Sequence, residues 1–341
     1  MEQVAKAAGV TKGTVSRVFN GGSSVRASVV ERVRKVAGEL GYIKPPQRKA
    51  KGEGTMEAWL KTRKVVFVLV APQGLRWMLS NAPIYAHVLQ GAQNALESRG
   101  LSLNIVTVKN AEEAASLIAG GRTHGVLAIA TGLPPSIAAA LEGVPMVQVM
   151  GLLPHGECDH VSYDPERTGA LAAGYLLEKG HRVCVCLGAS NTEIFRRRAQ
   201  AFRHHLENSG VTVHDLLDKD LVSIDQDHNA VEERILTRLV DTLVKMKPRP
   251  SGVFILADML APGVYRLLQA HGLRPGVDLE IVSCNNEEPY LNGLRPVPAA
   301  VDVQGEEIGS RAVEQLFWRM QNPSKTPVSI TIAPRLVLPP Q

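Results

Sequence analysis

Long apolar runs are missing from this 341-residue sequence, and so is a leader that passes from basic to apolar residues. A helix that crosses a membrane needs about 20 consecutive, mostly apolar residues, and no stretch approaches that length. A secretory signal would place an apolar core near the start, where this chain is rich in charged and small residues. We therefore expect a cytoplasmic protein that does not associate with a membrane.

Cysteine is scarce, with four residues in the whole chain. Cys184 and Cys186 alternate in an apolar segment, so they should share one face of a buried strand and be poorly placed for a disulfide. Cys158 and Cys284 stand alone. This usage favours reduced structural thiols over a redox or metal role, and no close His/Cys spacing indicates a metal site.

Motifs of the common catalytic folds are absent as well. The sequence has no G-x-G-x-x-G turn, no phosphate-binding loop with its lysine and no G-x-S-x-G nucleophile turn. We expect no catalytic residue, no cofactor and no enzyme activity. An enzyme remains the most distant alternative, because doubly wound α/β folds support many different chemistries.

Charge is present but unevenly distributed. Residues 1–64 hold fourteen Lys and Arg against five Glu, a net charge of +9, whereas the whole chain carries +5. The remaining residues therefore sum to −4. A basic head on a mildly acidic body is the asymmetry expected when only the head meets a polyanion such as DNA. A solvated charged surface would give the same numbers, so charge alone does not decide.

Three short helices are predicted at the start of the chain. Apolar spacing predicts helices over residues 2–8 and 29–40, and Thr11 is suited to cap a helix between them. Gly9 breaks the chain after the first helix. A helix, a tight turn with glycine and a second helix form a DNA-binding helix-turn-helix when the second helix can enter the major groove. We predict such an all-α domain over residues 1–43.

The second helix carries side chains suited to a duplex. Arg17 is the best candidate for a bidentate contact to guanine, which gives about 1–3 kcal/mol of discrimination between bases. Short hydroxyl and amide groups nearby suit the phosphates that flank the groove. The expected DNA contacts in the head are Lys12, Gly13, Thr14, Ser16, Arg17 and Asn20.

A change of composition marks a connector at residues 44–63, "KPPQRKAKGEGTMEAWLKTR". Its two prolines cannot lie inside a helix, and its Gly and Lys content suits an exposed hinge. Lys44, Arg48 and Lys49 are expected to contact DNA phosphates.

Beyond the connector, apolar β-branched segments alternate with amphipathic helical ones. Strands are predicted at "VVFVLVA", "LNIVTV", "GVLAIA", "PMVQVM", "VCVCLG", "GVFILAD" and "EIVSC". This pattern indicates parallel sheets covered by helices on both faces, and about ten strands are more than one sheet comfortably holds. We predict an α/β body over residues 64–341 with two doubly wound lobes, and a ligand between them at the carboxyl ends of the strands.

Two stretches of the head, "VAKAAGVTKGTVSRVFN" and "VRASVVERVRKVAGELGY", resemble the LacI/GalR family of bacterial transcription regulators. The resemblance continues in order through "SNAPIYAHVLQGAQNAL", "HGVLAIATG", "VSYDPERTGALAAGYLLEKGHRVCVCLG" and "ITIAPRLVL". It covers most of the chain and is weakest in the connector. There the family has a leucine that wedges into the minor groove, whereas this chain has Lys51, so phosphate contacts are expected instead.

The resemblance implies a homodimer whose two heads read a pseudo-palindromic DNA operator. The body would resemble a type I periplasmic sugar-binding protein, in which the chain crosses between the lobes three times. A small-molecule effector in the cleft, a sugar or sugar derivative, would change the angle between the lobes and thereby the affinity for the operator. No leucine-heptad segment follows "PRLVLPPQ", so a dimer is expected rather than a tetramer.

The family's ligand positions carry over to three residues of the body. Arg198 matches the arginine of the R-x-x-G-[FY] element, here "RAQAF", and its planar fork suits hydroxyls or a carboxylate. Asp258 matches the acidic residue of N-D-x-x-A, although Ala257 replaces the asparagine. Asn285 matches the first aspartate of G-[FY]-D-[DN], so an uncharged amide stands where the family has a carboxylate. These departures predict a ligand chemistry shifted from that of the usual monosaccharides.

Asn81 and Tyr85 lie on or beside the first loop of the expected cleft. The ring of Tyr85 could stack on a sugar or could equally pack in the core. Three kinds of regulator fit the whole pattern: a sugar-induced repressor, a corepressor-dependent repressor, and a regulator that answers to a protein partner or a phosphosugar. A periplasmic transport receptor would share the body but would need a signal peptide and no basic head.

Overall fold

The computed structural model describes residues 2–19, 27–39, 65–70, 82–119, 123–129, 134–151, 158–221 and 228–339. The chain divides into two compact units, Met1–Met56 and Glu57–Gln341. Within the described ranges, no helix combines the length and apolar character that crossing a membrane requires. The predicted boundaries at residues 43 and 63 lie outside these ranges and stay predictions.

The first unit consists, in its described part, of helices α1 (Glu2–Ala8), α2 (Lys12–Phe19) and α3 (Ala27–Glu39). The three predicted helices are therefore confirmed. Small apolar side chains fill the space between them, which lets the helices approach closely. Its buried residues are Val4, Ala5, Ala8, Val15, Val18, Val33 and Ala37.

The turn between α1 and α2 depends on two residues. Gly9 has a φ of +63°, in the left-handed region that glycine adopts without steric cost. The Thr11 hydroxyl oxygen accepts from the backbone N–H of Thr14 at 3.2 Å, and its carbonyl accepts from Val15 N–H at 3.1 Å. Thr11 thus caps α2 as predicted, satisfying N–H groups that the helix itself leaves unpaired.

The second unit alternates strands and helices. Its described strands are β1 (Val65–Val70), β2 (Asn104–Val108), β3 (Gly125–Ile129), β4 (Met146–Val149), β5 (Asp159–Tyr163), β6 (Val183–Ala189), β7 (Thr212–Asp218), β8 (Gly252–Ile255), β9 (Glu280–Asn285), β10 (Ala299–Asp302), β11 (Ser329–Ile332) and β12 (Arg335–Val337). Its described helices are α4 (Ile84–Glu97), α5 (Ala111–Ile118), α6 (Pro135–Ala140), α7 (Pro165–Glu178), α8 (Glu193–Glu207), α9 (His228–Lys245), α10 (Ala261–Ala270), α11 (Glu288–Leu291) and α12 (Gly305–Gln321).

These strands form two six-stranded sheets, one in each lobe. Lobe 1 has the order β11-β5-β4-β3-β1-β2, with every neighbouring pair parallel. Lobe 2 has the order β12-β10-β9-β8-β6-β7, and only β12 among them runs antiparallel to its neighbour. The prediction of two doubly wound parallel lobes is confirmed. The short antiparallel strand β12 adds an edge that the sequence did not reveal.

The chain crosses between the lobes three times, as the resemblance implied. The crossings follow β5, β10 and β11, at residues 163–165, 302–305 and 332–335. Asp302 joins two of them, because its carboxylate accepts from the backbone N–H of Gln304 at 2.7 Å and from the Arg335 guanidinium at 2.9 Å. The Asp302 carboxylate therefore links the second and third crossings, although these are far apart in sequence.

Each lobe contains a pair of helices that cross at glycine. A Cβ atom on Gly91 of α4 would lie 1.9 Å from the carbonyl oxygen of Glu306 on α12. A Cβ atom on Gly169 of α7 would lie 2.1 Å from the carbonyl oxygen of Arg198 on α8. Neither position has room for a side chain, so Gly169 sets the depth at which α8 packs.

The four cysteines, all of them in the described ranges, form no disulfide, as the sequence predicted. Cys184 and Cys186 of β6 are both buried in the same core. Burial raises the pKa of Cys184 to about 11 and that of Cys186 further, which keeps both thiols protonated.

Candidate functional site

Helix α8 brings Arg198 to the junction of the lobes. Thr192 is the N-cap of this helix, and its hydroxyl accepts from Phe195 N–H at 3.3 Å. Gly169 lets the helix backbone pack closely on α7. Arg198 is 2% exposed and belongs to the buried face of the helix. Its neighbours differ, since Arg196 and Arg197 form ion pairs with Glu193 at the surface.

The guanidinium of Arg198 joins three parts of the chain. Its Nη1 donates to the carbonyl oxygen of Leu256 at 2.6 Å, and its Nη2 donates to Tyr163 Oη at 2.6 Å and to Asn285 Oδ1 at 3.0 Å. Within the described ranges, its buried Nε has no hydrogen-bond partner. A buried cation with an unused donor therefore lies where the lobes meet.

Tyr163 carries this contact into lobe 1. It is the last residue of β5, immediately before the first crossing, and its ring centroid lies 5.1 Å from the Arg198 guanidinium. Burial raises the pKa of the Tyr163 phenol, so the hydroxyl stays neutral and can accept from the guanidinium.

Asn285 ends β9 in a turn that L-residues seldom adopt. Its φ is +109° and that of Asn286 is +63°. Such conformations cost about 1–3 kcal/mol each and persist when the surroundings hold them in place. Asn285 is held by Arg198 and also donates from Nδ2 to Glu287 Oε2 at 3.3 Å.

Asp258 lies beneath this turn and is fully buried. One carboxylate oxygen accepts from the Ser283 hydroxyl, and the other accepts from the backbone N–H of Glu287 at 2.6 Å. Burial, with repulsion from Glu287 as the next cause, raises the pKa of Asp258 to about 8. The carboxyl is therefore mostly protonated at neutral pH, and its visible contacts support the turn from below.

Glu287, like Tyr163, is a site residue that the sequence analysis did not single out. It is 2% exposed, and its Oε1 accepts from the backbone N–H of Ile84 at 2.8 Å, at the start of α4 in lobe 1. Burial raises the pKa of this carboxyl as well. The only available signal was an acidic residue directly after the Asn-Asn turn at the carboxyl end of a strand.

Of the two other residues predicted to bind an effector, Tyr85 is described by the structure and Asn81 is not. Tyr85 of α4 is half-buried and packs against the core, and burial raises its pKa to about 12. Packing is one of the two roles that its sequence position left open, and stacking on a ligand stays a prediction. Asn81 lies outside the described residues. The roles assigned to Arg198, Asp258 and Asn285 in binding an effector also stay predictions, although the structure brings all three into one hydrogen-bonded network.

In the head, the predicted DNA contacts are described only in part. Gly13 is exposed and Thr14 is partly exposed on α2, where the Thr14 hydroxyl is 2.9 Å from that of Thr11. Lys12, Ser16 and Arg17 belong to α2, but their side chains lie outside the described part. Asn20, Lys44, Arg48 and Lys49 lie outside it altogether. Among the residues that are described, no cluster of three His, Cys, Asp or Glu could hold a metal ion.

Comparison with known proteins supports the two-part organisation. Residues 1–45 match the family described as bacterial regulatory proteins, lacI family, and residues 173–338 match a periplasmic binding protein-like domain. The ribose operon repressor of Haemophilus influenzae is 25% identical over 345 residues, which cover 99% of this chain and 97% of that protein. The HTH-type transcriptional repressor PurR of Proteus mirabilis is 27% identical, over 99% of this chain and 95% of that protein.

A solved structure extends the match to three dimensions. The transcriptional regulator CelR in complex with cellobiose has a TM-score of 0.65 and 25% sequence identity, over 99% of this chain and 98% of that one. The relatives that match along their whole length are named as transcriptional regulators. The chain therefore carries a DNA-binding domain of the lacI family of bacterial regulatory proteins and a periplasmic binding protein-like domain, and it is similar along its whole length to transcriptional regulators.

Proposed function

We propose that this regulator represses transcription and that a small carbohydrate or carbohydrate derivative, bound between the lobes, adjusts its affinity for DNA. Arg198 carries the proposal. A buried donor without a partner costs about 1–3 kcal/mol, and a ligand oxygen at Nε would recover that free energy. The guanidinium already links both lobes through Leu256, Asn285 and Tyr163, so a ligand bound there would act on their separation.

The polar groups of the junction suit a ligand with several hydroxyls. The guanidinium of Arg198 donates, the Asn285 amide both donates and accepts, and Glu287 supplies a carboxylate acceptor. Two similar proteins have names that refer to sugars, the ribose operon repressor and the CelR–cellobiose complex. These names support a ligand with several hydroxyls. A phosphosugar remains the second candidate, because the planar Arg198 guanidinium, with its unpartnered Nε, also suits a phosphate group.

The head and the assembly complete the proposal. We infer that two copies bind a pseudo-palindromic operator in the cytoplasm, and that Lys12 and Arg17 read its bases. Gly13 stands at a base-reading position of the family pattern but has no side chain, so readout there falls to Lys12, Arg17 or water. The basic charge of residues 1–64 supports binding to a polyanion. The regulators among its relatives support binding without catalysis.

Titration calorimetry of Arg198 variants tests the effector site. The panel contains ribose, glucose, cellobiose, galacturonate and ribose 5-phosphate. We expect Arg198→Lys to weaken binding of the active compound at least tenfold, because lysine keeps the charge but lacks the planar fork. Arg197→Lys is the matched control, since Arg197 is the adjacent arginine of the same helix and pairs with Glu193 at the surface.

An operator selected from random oligonucleotides provides the second readout. Arg198→Lys should bind this operator as the unmodified protein does, but without a response to the active compound. Equal affinity of Arg198→Lys and Arg197→Lys for that compound would contradict the assignment of Arg198. Failure to select any sequence would contradict the function as a DNA-binding regulator.

A further inference from the structure

Glu287 belongs to lobe 2, but its carboxylate satisfies a backbone donor of lobe 1. The bond from Ile84 N–H to Glu287 Oε1 is 2.8 Å long, is buried and joins residues 203 positions apart. With the bond between Arg198 and Tyr163, it forms a pair of polar links across the junction. Asn285 connects the two links, since it contacts both Arg198 and Glu287.

Helix α4 depends on this carboxylate for the start of its first turn. Its N-cap residue is Pro83, which has no side-chain group to cap the helix, and no acidic residue of α4 lies in its first turn. The first N–H groups of a helix need an acceptor when they are buried, and Ile84 is 6% exposed. Glu287 supplies this acceptor and places a carboxylate at the positive end of the helix dipole.

The position of Glu287 is fixed from its own lobe. Asp258 accepts from its backbone N–H at 2.6 Å, and the Asn285 amide donates to its second carboxylate oxygen at 3.3 Å. The positive φ angles of Asn285 and Asn286 turn the chain so that Glu287 faces lobe 1. A strained turn that several contacts hold in place is typical of a functional element. Here the turn places the Glu287 carboxylate against the backbone of lobe 1.

We propose that Glu287 is the positioning residue that sets lobe closure, by capping α4 from the opposite lobe. A ligand hydroxyl that donates to this carboxylate competes with the cap, so ligand binding and lobe separation share one acceptor. This consequence for regulation rests on the proposed function, whereas the capping contact does not. Loss of the cap alone should loosen lobe 1 from lobe 2 at Ile84.

Hydrogen exchange of the full-length protein tests the cap without any ligand. We expect the Ile84 amide to exchange about tenfold faster or more in Glu287→Ala, because a hydrogen bond to a charged group is lost. Glu287→Asp should behave in the same way, since its side chain is one methylene shorter. Glu287→Gln keeps an acceptor oxygen and should retain most of the protection. Glu288→Gln, at the next position, is the matched control and should change nothing at Ile84.

Two outcomes would overturn the inference. One is unchanged exchange at Ile84 in both Glu287→Ala and Glu287→Asp. The other is a uniform increase across β9 and α11 with Ile84 changing no more than they do, which would indicate a role within lobe 2 alone. Operator selection separates this inference from the proposed function: if the unmodified protein selects no sequence, the function fails while the Ile84 result still stands.

Discussion

Replacement of Gly169 by alanine tests how the fold places Arg198. The added Cβ would lie 2.1 Å from the carbonyl oxygen of Arg198 and 2.8 Å from the backbone nitrogen of Phe202, both on α8. To restore an ordinary contact of about 3.4 Å, α8 must move away from α7 by about 1.3 Å. Such a shift takes the 2.6 Å bonds from Arg198 to Leu256 and Tyr163 beyond hydrogen-bond length.

The expected change in free energy has three contributions. Alanine is favoured over glycine inside a helix by about 1 kcal/mol. Overpacking costs about 1–3 kcal/mol, and each of the two lost hydrogen bonds from the charged guanidinium costs about 1.5–3 kcal/mol. We therefore expect Gly169→Ala to lower the free energy of unfolding of the second unit by about 3 kcal/mol or more, and to weaken binding of the active compound.

Gly174→Ala is the matched control on the same helix. The nearest neighbour of its added Cβ is a His205 ring nitrogen at 4.0 Å, so only the gain in helix propensity applies. Urea unfolding followed by circular dichroism should show this variant about 0.5–1 kcal/mol more stable than the unmodified protein. If Gly169→Ala proved as stable as Gly174→Ala, the argument that Gly169 sets the depth of α8 would be refuted.

Two further predictions concern the far end of lobe 1 and the head. Asp159 is fully buried, and although burial alone would raise its pKa, hydrogen bonds from Arg319 and Gln315 leave the pKa below its usual value. The stabilisation that ionised Asp159 provides is therefore complete above about pH 5 and is lost as the pH falls through the lowered pKa. In unfolding experiments, Asp159→Asn should lower the free energy of unfolding by about 3–5 kcal/mol at pH 7 and reduce the loss of stability between about pH 5 and lower pH. An unchanged loss of stability at acid pH in this variant would contradict the assignment. Arg17→Ala should weaken operator binding by about 1–3 kcal/mol in fluorescence anisotropy while sparing random DNA, and equal losses on both would count against base reading.

The sheets were predictable because buried parallel strands read as continuous β-branched runs. This is why "VVFVLVA" and "GVLAIA" predicted β1 and β3 almost to the residue. Strand β5 lacks that signal, since Asp159, His160 and Ser162 are polar although the whole strand is buried. Their partners come from elsewhere: the His160 ring, for example, is 3.2 Å from the carbonyl oxygens of Met150 and Gly151.

The candidate site was predictable only where one residue type carries the chemistry. Arg198, Asp258 and Asn285 stood out because each occupies an element of the family pattern, and they do share one network. Tyr163 and Glu287 have no such marker. Their importance comes from bonds to residues 35 and 203 positions away, which exist only after the chain has crossed between the lobes. Local sequence carries no record of such distant pairings.

The three crossings also restrict how such a protein can be divided or recombined. Lobe 1 takes α12 and β11 from the last 37 residues of the chain, while lobe 2 takes β12 from the same segment. A product that terminates before residue 305 would therefore leave both lobes incomplete and cannot yield an intact half. A single crossover between two related genes would likewise exchange fragments of both lobes at once. A new ligand preference is therefore reached more readily by separate substitutions around the junction than by replacement of one whole lobe.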